Sequence, residues 1–330
     1  MKPVNVLVTS AIGEECLQRI ASVGPEIRLT EVSGLFRAER SGDLAARQKL
    51  DELLAEAEVV YGLRFPQDFI RRAPNLKWVQ AMSAGVNIFL DAEMVESPVT
   101  LTNVSGIHAT PIGEFVLGLM LMFAKQAPLC FQLKQERQWR RFNLSVLRSR
   151  TVGIVGLGSI GREVARLARA FGMRVVATRR SARSVGRARN VDIMYPRAQL
   201  PALLAESDFV VLAVPSTPET HNLIGEAELR EMKPTAYLIN VGRGDAVDEE
   251  ALVRALDEHW IAGAGLDVFA TEPLPADSRL WESPNLIFSP HVSGGMEDYN
   301  IRATEVFAEN LRRYLDGKKL LHVVDKKRGY

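Results

Sequence analysis

The segment GLGSIG at residues 156–161 constrains the fold more than any other part of this sequence. It follows an apolar run at residues 152–155 and precedes an amphipathic stretch at 160–171, which is the strand–turn–helix context of a dinucleotide-binding loop. In such a loop the first glycine permits a tight turn, the second lets a pyrophosphate approach the backbone, and the third allows close helix–strand packing. The helix N-terminus then presents free amide groups to the anion. The alternative is a simple glycine turn between packed elements, and the flanking segments favour the dinucleotide site.

Strands and helices are predicted to alternate on both sides of this loop. The most apolar segment, FVVLAV at residues 209–214, is typical of a strand in a parallel sheet that helices cover on both faces. Repeated strand–helix units predict the α/β class, with a doubly wound parallel sheet, for a dinucleotide-binding domain at residues 103–290. The predicted strands are residues 152–155, 174–177, 209–214, 237–241, 264–268 and 286–288, and the predicted helices are residues 160–171, 198–206 and 249–258.

The first hundred residues predict a second, smaller α/β domain that has no glycine-rich loop. A chain of 330 residues is about twice what one compact core usually carries, which favours two domains. We expect residues 1–102 and 291–330 to form the second domain together, and Thr110 to cap the long helix that begins at Thr110-Pro111. Its predicted strands are residues 4–8, 59–61, 76–82 and 99–101, and its predicted helices are residues 14–23 and 297–315.

The composition excludes several classes of protein. The 41 Lys and Arg residues balance 40 Asp and Glu residues, and a net charge of +1 provides no general attraction for nucleic acid. Cys16 and Cys130 are too few for a disulfide framework and lack the spacing of metal ligands. The longest apolar run, residues 115–124, is shorter than the ~20 residues that cross a bilayer, and the N-terminus does not resemble a signal peptide. We therefore expect a cytoplasmic protein that binds no metal, nucleic acid or membrane.

The strand after the glycine loop carries the information on cofactor choice. An NAD site normally has an acidic residue about 20 residues after the loop, where it binds the ribose diol. Here the strand ends ATRRS at residues 177–181, without a carboxylate. Arg179 and Arg180 suit the 2′-phosphate of NADP, which a guanidinium binds in bidentate fashion. NADP(H) is therefore expected over NAD(H), although the arginines at 183, 187 and 189 also fit a solvated basic loop.

Three residues of complementary chemistry follow predicted strands in the second half of the chain. Arg243 lies in NVGRG (240–244), Glu272 in TEP (271–273) and His291 in SPHVSGG (289–295). Ligands of open α/β sheets bind beyond the carboxyl ends of the strands, so we expect these side chains at one site. Arginine binds a carboxylate, histidine donates a proton near neutral pH, and a glutamate favours the imidazolium. Each alone has an ordinary alternative, namely a surface turn, a helix stop and a loop histidine.

Four motifs, in this order, resemble the D-isomer-specific 2-hydroxyacid dehydrogenase family over essentially the whole chain. They are GLGSIG (156–161), LINVGRG (238–244), GLDVF with TEP (265–273) and SPH (289–291). The resemblance implies a Rossmann cofactor domain and a flavodoxin-like second domain. It also implies that Arg243 binds the substrate carboxylate, that His291 is the catalytic acid–base and Glu272 its partner, and that Asp267 meets the nicotinamide carboxamide. The candidate cofactor contacts are Gly156, Gly158, Ser159, Ile160, Gly161, Thr178, Arg179, Arg180, Pro215, Val241, Gly242, Asp267 and Gly294.

The resemblance extends to the smaller domain and to assembly. The segment Ser83-Ala84-Gly85 is similar to the family loop whose backbone amides hold the substrate carboxylate, with Arg243 and His291 as the other substrate contacts. Members of the family are generally homodimers in which the arm after the long helix reaches the other subunit. Trp139 lies on this arm, and it would either approach the partner's cleft or pack in the dimer core.

Position 179 carries no acidic residue. In this respect the sequence resembles the NADPH-linked glyoxylate and hydroxypyruvate reductase branch of the family. The expected reaction is hydride transfer from NADPH to a small 2-keto acid, giving the D-2-hydroxy acid. An NAD-linked D-2-hydroxyacid or phosphoglycerate dehydrogenase is one alternative, since Arg64, Arg71 and Arg72 could bind a phosphate. A non-catalytic, cofactor-sensing binding protein is the other, because some relatives of this fold act as transcriptional corepressors.

Overall fold

The computed structural model describes residues 3–329, and the chain divides into two compact units. One unit contains the chain up to Ile107 and from Met296 onward, and the other runs from His108 to Gly295. The first crossing thus follows residue 107 where 102 was expected, and the second follows residue 295 where 290 was expected. The shift at the second crossing has a physical reason: the backbone N–H groups of Val292 and Ser293 donate to Asp267, which ties this segment to the larger unit.

The smaller unit is built on a five-stranded parallel sheet of order β2-β1-β3-β4-β5. This is the flavodoxin-like strand order, and it confirms the predicted class of the second domain. The strands are β1 (Val4–Val8), β2 (Ile27–Glu31), β3 (Val59–Gly62), β4 (Trp78–Ala81) and β5 (Thr100–Thr102), and the helices are α1 (Glu14–Ala21), α2 (Ser33–Arg40), α3 (Leu44–Glu56), α4 (Phe69–Arg72) and α5 (Ala92–Glu96).

The larger unit contains an eight-stranded sheet of order β13-β12-β11-β10-β6-β7-β9-β8, in which only β8 is antiparallel to its neighbour. This order confirms the predicted doubly wound parallel sheet. Its strands are β6 (Thr151–Val155), β7 (Arg174–Thr178), β8 (Gly186–Ala188), β9 (Val191–Tyr195), β10 (Phe209–Leu212), β11 (Tyr237–Asn240), β12 (Gly263–Leu266) and β13 (Leu286–Phe288). Its helices are α6 (Ala109–Ala124), α7 (Ala127–Gln135), α8 (Ser159–Ala170), α9 (Leu200–Glu206), α10 (Glu226–Glu231) and α11 (Glu249–Asp257).

Helices cover both faces of this sheet, which explains the continuous apolar run in β10. Phe209 and Val211 belong to the layer that contains α6 and α8. Val210 and Leu212, which point to the other face, belong to the layer that contains α9 and α11. Successive side chains of a strand alternate between the two layers, and both layers are apolar. Every position of β10 is therefore occupied by an apolar residue.

Several local predictions were incomplete or wrong. The strands β2, β8 and β9 were not predicted. The β8–β9 hairpin begins among the arginines at 183, 187 and 189. The long helix begins at Ala109 with His108 at the N-cap, and no side chain caps it. Thr110 is therefore not the capping residue. Pro111 is accommodated inside the first turn, because an amide there needs no intrahelical partner.

Among the described residues, no single helix is long and apolar enough to cross a bilayer. Only α6 and α7 together, which are bent by 61° relative to each other, have the length and composition of a span.

The last helix, α12 (Tyr299–Leu315), and the tail after it complete the smaller unit. Phe307 of α12 stacks on Tyr61 with ring centroids 4.2 Å apart. In the tail, the Val324 N–H donates to the Leu101 carbonyl, and the Lys326 ammonium donates to the carbonyls of Met94, Ser97 and Val99. Burial lowers the pKa of Lys326. The tail is thus fastened to the edge strand β5 and to the C-terminal end of α5.

We expect Lys326→Met to destabilise the smaller unit by about 1–3 kcal/mol, because the carbonyls at the end of α5 lose a charged donor. Chemical denaturation followed by circular dichroism measures the change. The matched variant Lys327→Met, at an exposed neighbouring lysine, should leave stability nearly unchanged. Equal effects of the two variants would contradict the anchoring role.

Candidate active site

The glycine loop has the geometry of an anion-binding turn. Gly156 lies in the left-handed region at φ 102°, and a Cβ at position 161 would approach the Gly156 carbonyl oxygen to 2.1 Å. Gly158 is the N-cap of α8 and provides no side-chain cap, so Ser159 and Ile160 begin the helix with amide groups open to a ligand. A Cβ at Gly158 would meet nothing within 4 Å, which leaves space above the loop. These residues fit a pyrophosphate at the helix N-terminus.

The end of β7 carries the residues expected at the adenosine ribose. Thr178 is buried, its carbonyl accepts the Gly156 N–H at 3.0 Å, and its hydroxyl has no partner in the described part of the chain. Arg179 is exposed and forms no ion pair among the described residues. Arg180 lies near the carboxylate of Glu219. Hydrogen bonds from the backbone and from Thr217 lower the pKa of Glu219, and the charges of Arg197 and Arg180 lower it further.

The loops after β10 and β11 lie next to the glycine loop. A Cβ on Gly156 would lie 2.5 Å from the Ala213 carbonyl oxygen, immediately before the loop that contains Pro215. Val241 is buried, and the Gly242 N–H donates to the Asn240 side chain at 3.0 Å. The backbone is therefore tightly packed at these predicted cofactor-binding residues.

The imidazole of His291 and the carboxylate of Glu272 are in direct contact. Nδ1 of His291 lies 2.8 Å from Oε2 of Glu272, and the side chains are 50% and 37% exposed. The other carboxylate oxygen accepts the Phe269 N–H at 3.1 Å. The glutamate therefore orients the ring through Nδ1, and Nε2 has no hydrogen-bond partner among the described residues.

Arg243 follows β11, and the backbone of its loop lies close to the segment that leads to Glu272. Its Nη1 donates to the Gly242 carbonyl at 2.7 Å, and a Cβ on Gly244 would lie 1.8 Å from the Phe269 carbonyl carbon. The loop of Arg243 thus packs directly on the segment that orients Glu272. No direct hydrogen bond joins Arg243 to His291 or Glu272 in the described residues.

His108 lies near Arg243 and Gly294. Burial lowers its pKa, and the charge of Arg243 lowers it further. Its ring is next to Gly294, where a Cβ would lie 2.8 Å from Cδ2 of His108. Gly294, predicted to contact the cofactor, therefore lies against a histidine that was not among the predicted site residues.

Asp267 follows β12 and is hydrogen-bonded to the segment that contains His291. It is 1% exposed, and its carboxylate accepts hydrogen bonds from Ser289, Val292 and Ser293. The predicted contact with the nicotinamide carboxamide stays a prediction. Sequence analysis missed the two serines, although their position on either side of His291 in SPHVS was a usable signal.

An apolar cavity of about 440 Å³ lies beside the His291–Glu272 pair. Trp281 and Phe288 meet there edge to face at 4.8 Å between centroids. Sequence analysis did not find this cavity, because its walls come from separate loops. Besides the acid–base pair, it is lined by Phe269, Pro273, Leu274, Trp281, Phe288 and Pro290.

The predicted substrate loop, Ser83-Ala84-Gly85, lies in the smaller unit. The Ser83 hydroxyl donates to the Gly85 carbonyl at 2.6 Å, and the Asn103 amide donates to the Ala84 carbonyl at 2.8 Å. Within the described residues, no acceptor is found for the backbone N–H groups of residues 83, 84 and 85. Three successive free amides suit an anionic ligand. The contact of Asn103 with this loop was not predicted.

The described residues contain no group of three or more histidine, cysteine or acidic side chains that could hold a metal ion.

Comparison with known proteins identifies the family. Residues 117–293 match the D-isomer specific 2-hydroxyacid dehydrogenase family, NAD binding domain. The chain is 37% identical over 290 residues to glyoxylate/hydroxypyruvate reductase B of Pectobacterium carotovorum subsp. carotovorum, which covers 84% of this chain and 88% of the relative. The chain belongs to the D-isomer specific 2-hydroxyacid dehydrogenase family.

Solved structures of this family superimpose on the whole chain. The D-isomer specific 2-hydroxyacid dehydrogenase from Xanthobacter autotrophicus Py2, in complex with NADPH and MES, has a TM-score of 0.84 at 29% identity and covers 100% of both chains. The NADPH-dependent glyoxylate/hydroxypyruvate reductase from Sinorhizobium meliloti, in complex with NADP and sulfate, has a TM-score of 0.82 at 29% identity and covers 99% of this chain and 100% of the other.

The lowered pKa of His108 predicts a pH dependence of stability. Its pKa in the folded protein lies below the unfolded value of about 6.5, so the unfolded chain takes up the proton first as the pH falls. The stabilisation is complete above this value and is lost on acidification. Between pH 7.5 and 5.5, roughly one unit on either side of that value, the melting temperature of the wild type should fall more than that of His108→Gln. The control His221→Gln, at an exposed histidine, should behave as the wild type.

Proposed function

We propose that this protein is an NADPH-dependent reductase of small 2-keto acids such as glyoxylate and hydroxypyruvate, and that it produces the D-2-hydroxy acid. The observation that carries the proposal is the His291–Glu272 contact at 2.8 Å in a chain of this dehydrogenase family. The named activities of the Pectobacterium and Sinorhizobium relatives support the choice of substrate class.

The residues of this chain divide the chemistry between them. When bound, the nicotinamide cofactor supplies the hydride that reduces the keto carbon. Protonated His291 donates a proton from Nε2 to the keto oxygen, and the oxidised cofactor and the hydroxy acid are the products. Glu272 stabilises the imidazolium and fixes the orientation of the ring through its contact with Nδ1.

Anchoring of the substrate carboxylate is assigned to two groups. The guanidinium of Arg243 offers a planar fork of donors that matches a carboxylate and polarises the adjacent carbonyl. The free amides of residues 83–85 supply donors of the kind that bind anions. Of the three arginines considered for a substrate phosphate, Arg71 pairs with Glu93 and Arg72 with Glu39 and Asp51, whereas Arg64 is exposed and forms no ion pair among the described residues. Two of the three are therefore already engaged, which disfavours a phosphorylated substrate.

NADPH is the proposed cofactor. Arg179 stands exposed at the end of β7, and the residues that follow in ATRRS include no carboxylate to bind a ribose diol. The structural relatives from Xanthobacter and Sinorhizobium were solved with NADPH and NADP respectively. A cytoplasmic location, where such cofactors are regenerated, is part of the proposal.

Assembly as a homodimer is also proposed. The arm after α7 carries Trp139 at 96% exposure, and Phe131, Leu144 and Val146 are exposed nearby. Large exposed apolar patches often mark protein–protein interaction sites, and these four side chains are close to one another along the chain. A second copy of this chain is the proposed partner, with Trp139 in the contact.

Purified protein should oxidise NADPH, followed by its absorbance, in the presence of glyoxylate, hydroxypyruvate, pyruvate or phenylpyruvate, with the first two as the best substrates. Replacement His291→Asn should lower kcat by about 10²–10⁴-fold, because the proton donor is lost. Arg243→Ala should chiefly raise KM, and the exposed control His259→Asn should behave as the wild type. Tight NADPH binding without turnover on the whole substrate panel would favour the cofactor-sensing alternative.

The variant Arg179→Asp should reverse cofactor preference. A carboxylate at the end of β7 repels the 2′-phosphate and accepts the ribose hydroxyls, so the ratio of kcat/KM for NADPH to that for NADH should fall by about tenfold or more. Arg183→Asp, further along the same basic stretch, is the matched control for net charge. A wild-type preference for NADH would refute the cofactor assignment.

A further inference from the structure

The amides of the substrate loop, residues 83–85, have no acceptor in the described part of the chain, whereas the carbonyls behind them are all held by donors. We propose that Tyr299, together with Asn103, is a positioning residue for this loop, and that the two side chains fix the direction of its amides. The inference rests on the proposed function, in which these amides bind the substrate carboxylate. All of these residues belong to the smaller unit.

The geometry of the peptide bond couples each carbonyl to the amide of the next residue. In a trans peptide the two groups lie in one plane and point in opposite directions. The Met82 carbonyl therefore sets the direction of the Ser83 N–H. In the same way, the carbonyls of residues 83 and 84 set the directions of the amides of residues 84 and 85. A donor that holds one of these carbonyls thus orients an amide on the opposite side of the loop.

Tyr299 holds the first of these peptide planes. It is the first residue of α12, and its hydroxyl donates to the Met82 carbonyl, to which no backbone N–H of the described residues donates. Its ring is partly buried and packs against the core cluster that contains Met82 and Phe307. Burial raises the pKa of Tyr299, so the hydroxyl keeps the proton that it donates.

The other two peptide planes are held by residues that follow β5. The Asn103 side-chain amide donates to the Ala84 carbonyl at 2.8 Å, and the Val104 N–H donates to the Ser83 carbonyl at 3.4 Å. Asn103 is 7% exposed, and its Oδ1 accepts the Ser105 N–H at 3.0 Å, which fixes the orientation of its side chain. Two segments that are distant in the chain therefore hold the loop from its carbonyl side.

The amides are consequently oriented before a ligand binds. A backbone N–H without a protein acceptor requires water or a ligand as its partner. Donors that are already aligned bind an anion without the cost of ordering them. Loss of the Tyr299 hydroxyl frees the Met82–Ser83 peptide plane, and this should weaken the binding of the substrate carboxylate. His291 and Glu272, which belong to the larger unit, should keep their contact.

The variant Tyr299→Phe removes the donor and keeps the ring. The KM for the best 2-keto acid should rise by about three- to tenfold, while kcat and the Kd for NADPH, measured by its fluorescence, stay within about twofold. A role of Tyr299 in packing alone predicts a loss of stability at constant KM. An unchanged KM, with or without a loss of stability, would overturn the proposal.

Tyr314→Phe is the matched control. Tyr314 lies in the same helix, and its hydroxyl donates to the Glu58 carboxylate at 2.6 Å. Glu58 precedes β3 whereas Met82 follows β4, so this hydrogen bond lies at the opposite end of the parallel sheet. This variant should have the KM of the wild type. A similar rise of KM in both variants would show a general loosening of α12 and would contradict the positioning role.

Asn103→Ala provides a test that does not depend on the folding of the tyrosine variant. It removes the donor to the Ala84 carbonyl and so releases the peptide plane of the Gly85 N–H. The KM for the 2-keto acid should again rise at nearly constant kcat. A wild-type KM in this variant would overturn the proposal.

An NMR measurement tests the positioning independently of activity. Met82-Ser83 is the only methionine followed by a serine in this sequence, so protein labelled with ¹³C-carbonyl methionine and ¹⁵N-serine gives one correlated carbonyl–amide signal. The carbonyl carbon should move upfield in Tyr299→Phe, which removes its hydrogen bond, and should stay in place in Tyr314→Phe. An unchanged carbon shift in Tyr299→Phe would refute the contact on which the proposal rests.

Oxalate separates the positioning role from the proposed function. It shares the adjacent carboxylate and carbonyl groups of a 2-keto acid but is not reduced by the cofactor. In the NADPH-saturated wild type it should shift the Ser83 amide signal, and Tyr299→Phe should raise the Kd for oxalate by about three- to tenfold. This result in a protein without turnover of any 2-keto acid would refute only the proposed function. An equal Kd in the two proteins would overturn the positioning role, and no response to oxalate in the wild type would overturn both.

Discussion

The structure of the candidate site depends on the parallel pairing of strands in the larger unit. Because β6, β7 and β10 to β13 all run in the same direction, their carboxyl ends meet at one edge of the sheet. The glycine loop follows β6, Arg243 follows β11, Asp267 and Glu272 follow β12, and His291 follows β13. The parallel strand pairing thus brings together residues more than a hundred positions apart in the chain, as in other open α/β sheets.

Within this edge, acidic groups are used in two distinct ways. Glu272 is 37% exposed and contacts the imidazole, where it can respond to a change of charge on the ring. Asp267 is buried and is occupied by donors of the His291 loop. Charge-assisted hydrogen bonds in a buried setting are strong and directional, so the carboxylate of Asp267 stabilises the conformation of the His291 loop.

An apolar cavity borders the His291–Glu272 pair on one side. Trp281, Phe288 and Pro290 form part of its wall next to His291 and Glu272. Apolar walls lower the local dielectric and strengthen the hydrogen bond between the imidazole and the carboxylate. The cavity is also a candidate determinant of which keto acids are accepted, since it borders His291.

The sequence by itself determined the class of the fold and the identity of the central catalytic candidates. Strong local signals were sufficient for this: a glycine loop in a strand–turn–helix context, continuous apolar strands such as 209–214, and short motifs around Arg243, Glu272 and His291. The strands β2, β8 and β9 escaped prediction because their residues are partly exposed or polar, so their pairing depends on neighbours distant in the chain.

Only the tertiary structure decided how these groups are held. The occupation of Asp267 by Ser289 and Ser293, the packing of Gly244 on Phe269, the support of residues 83–85 by Asn103 and the cavity beside the histidine all join segments from different strand ends. Such contacts are set by strand register and by loop conformation, including the left-handed backbone of His291, and no local pattern of residue types encodes them.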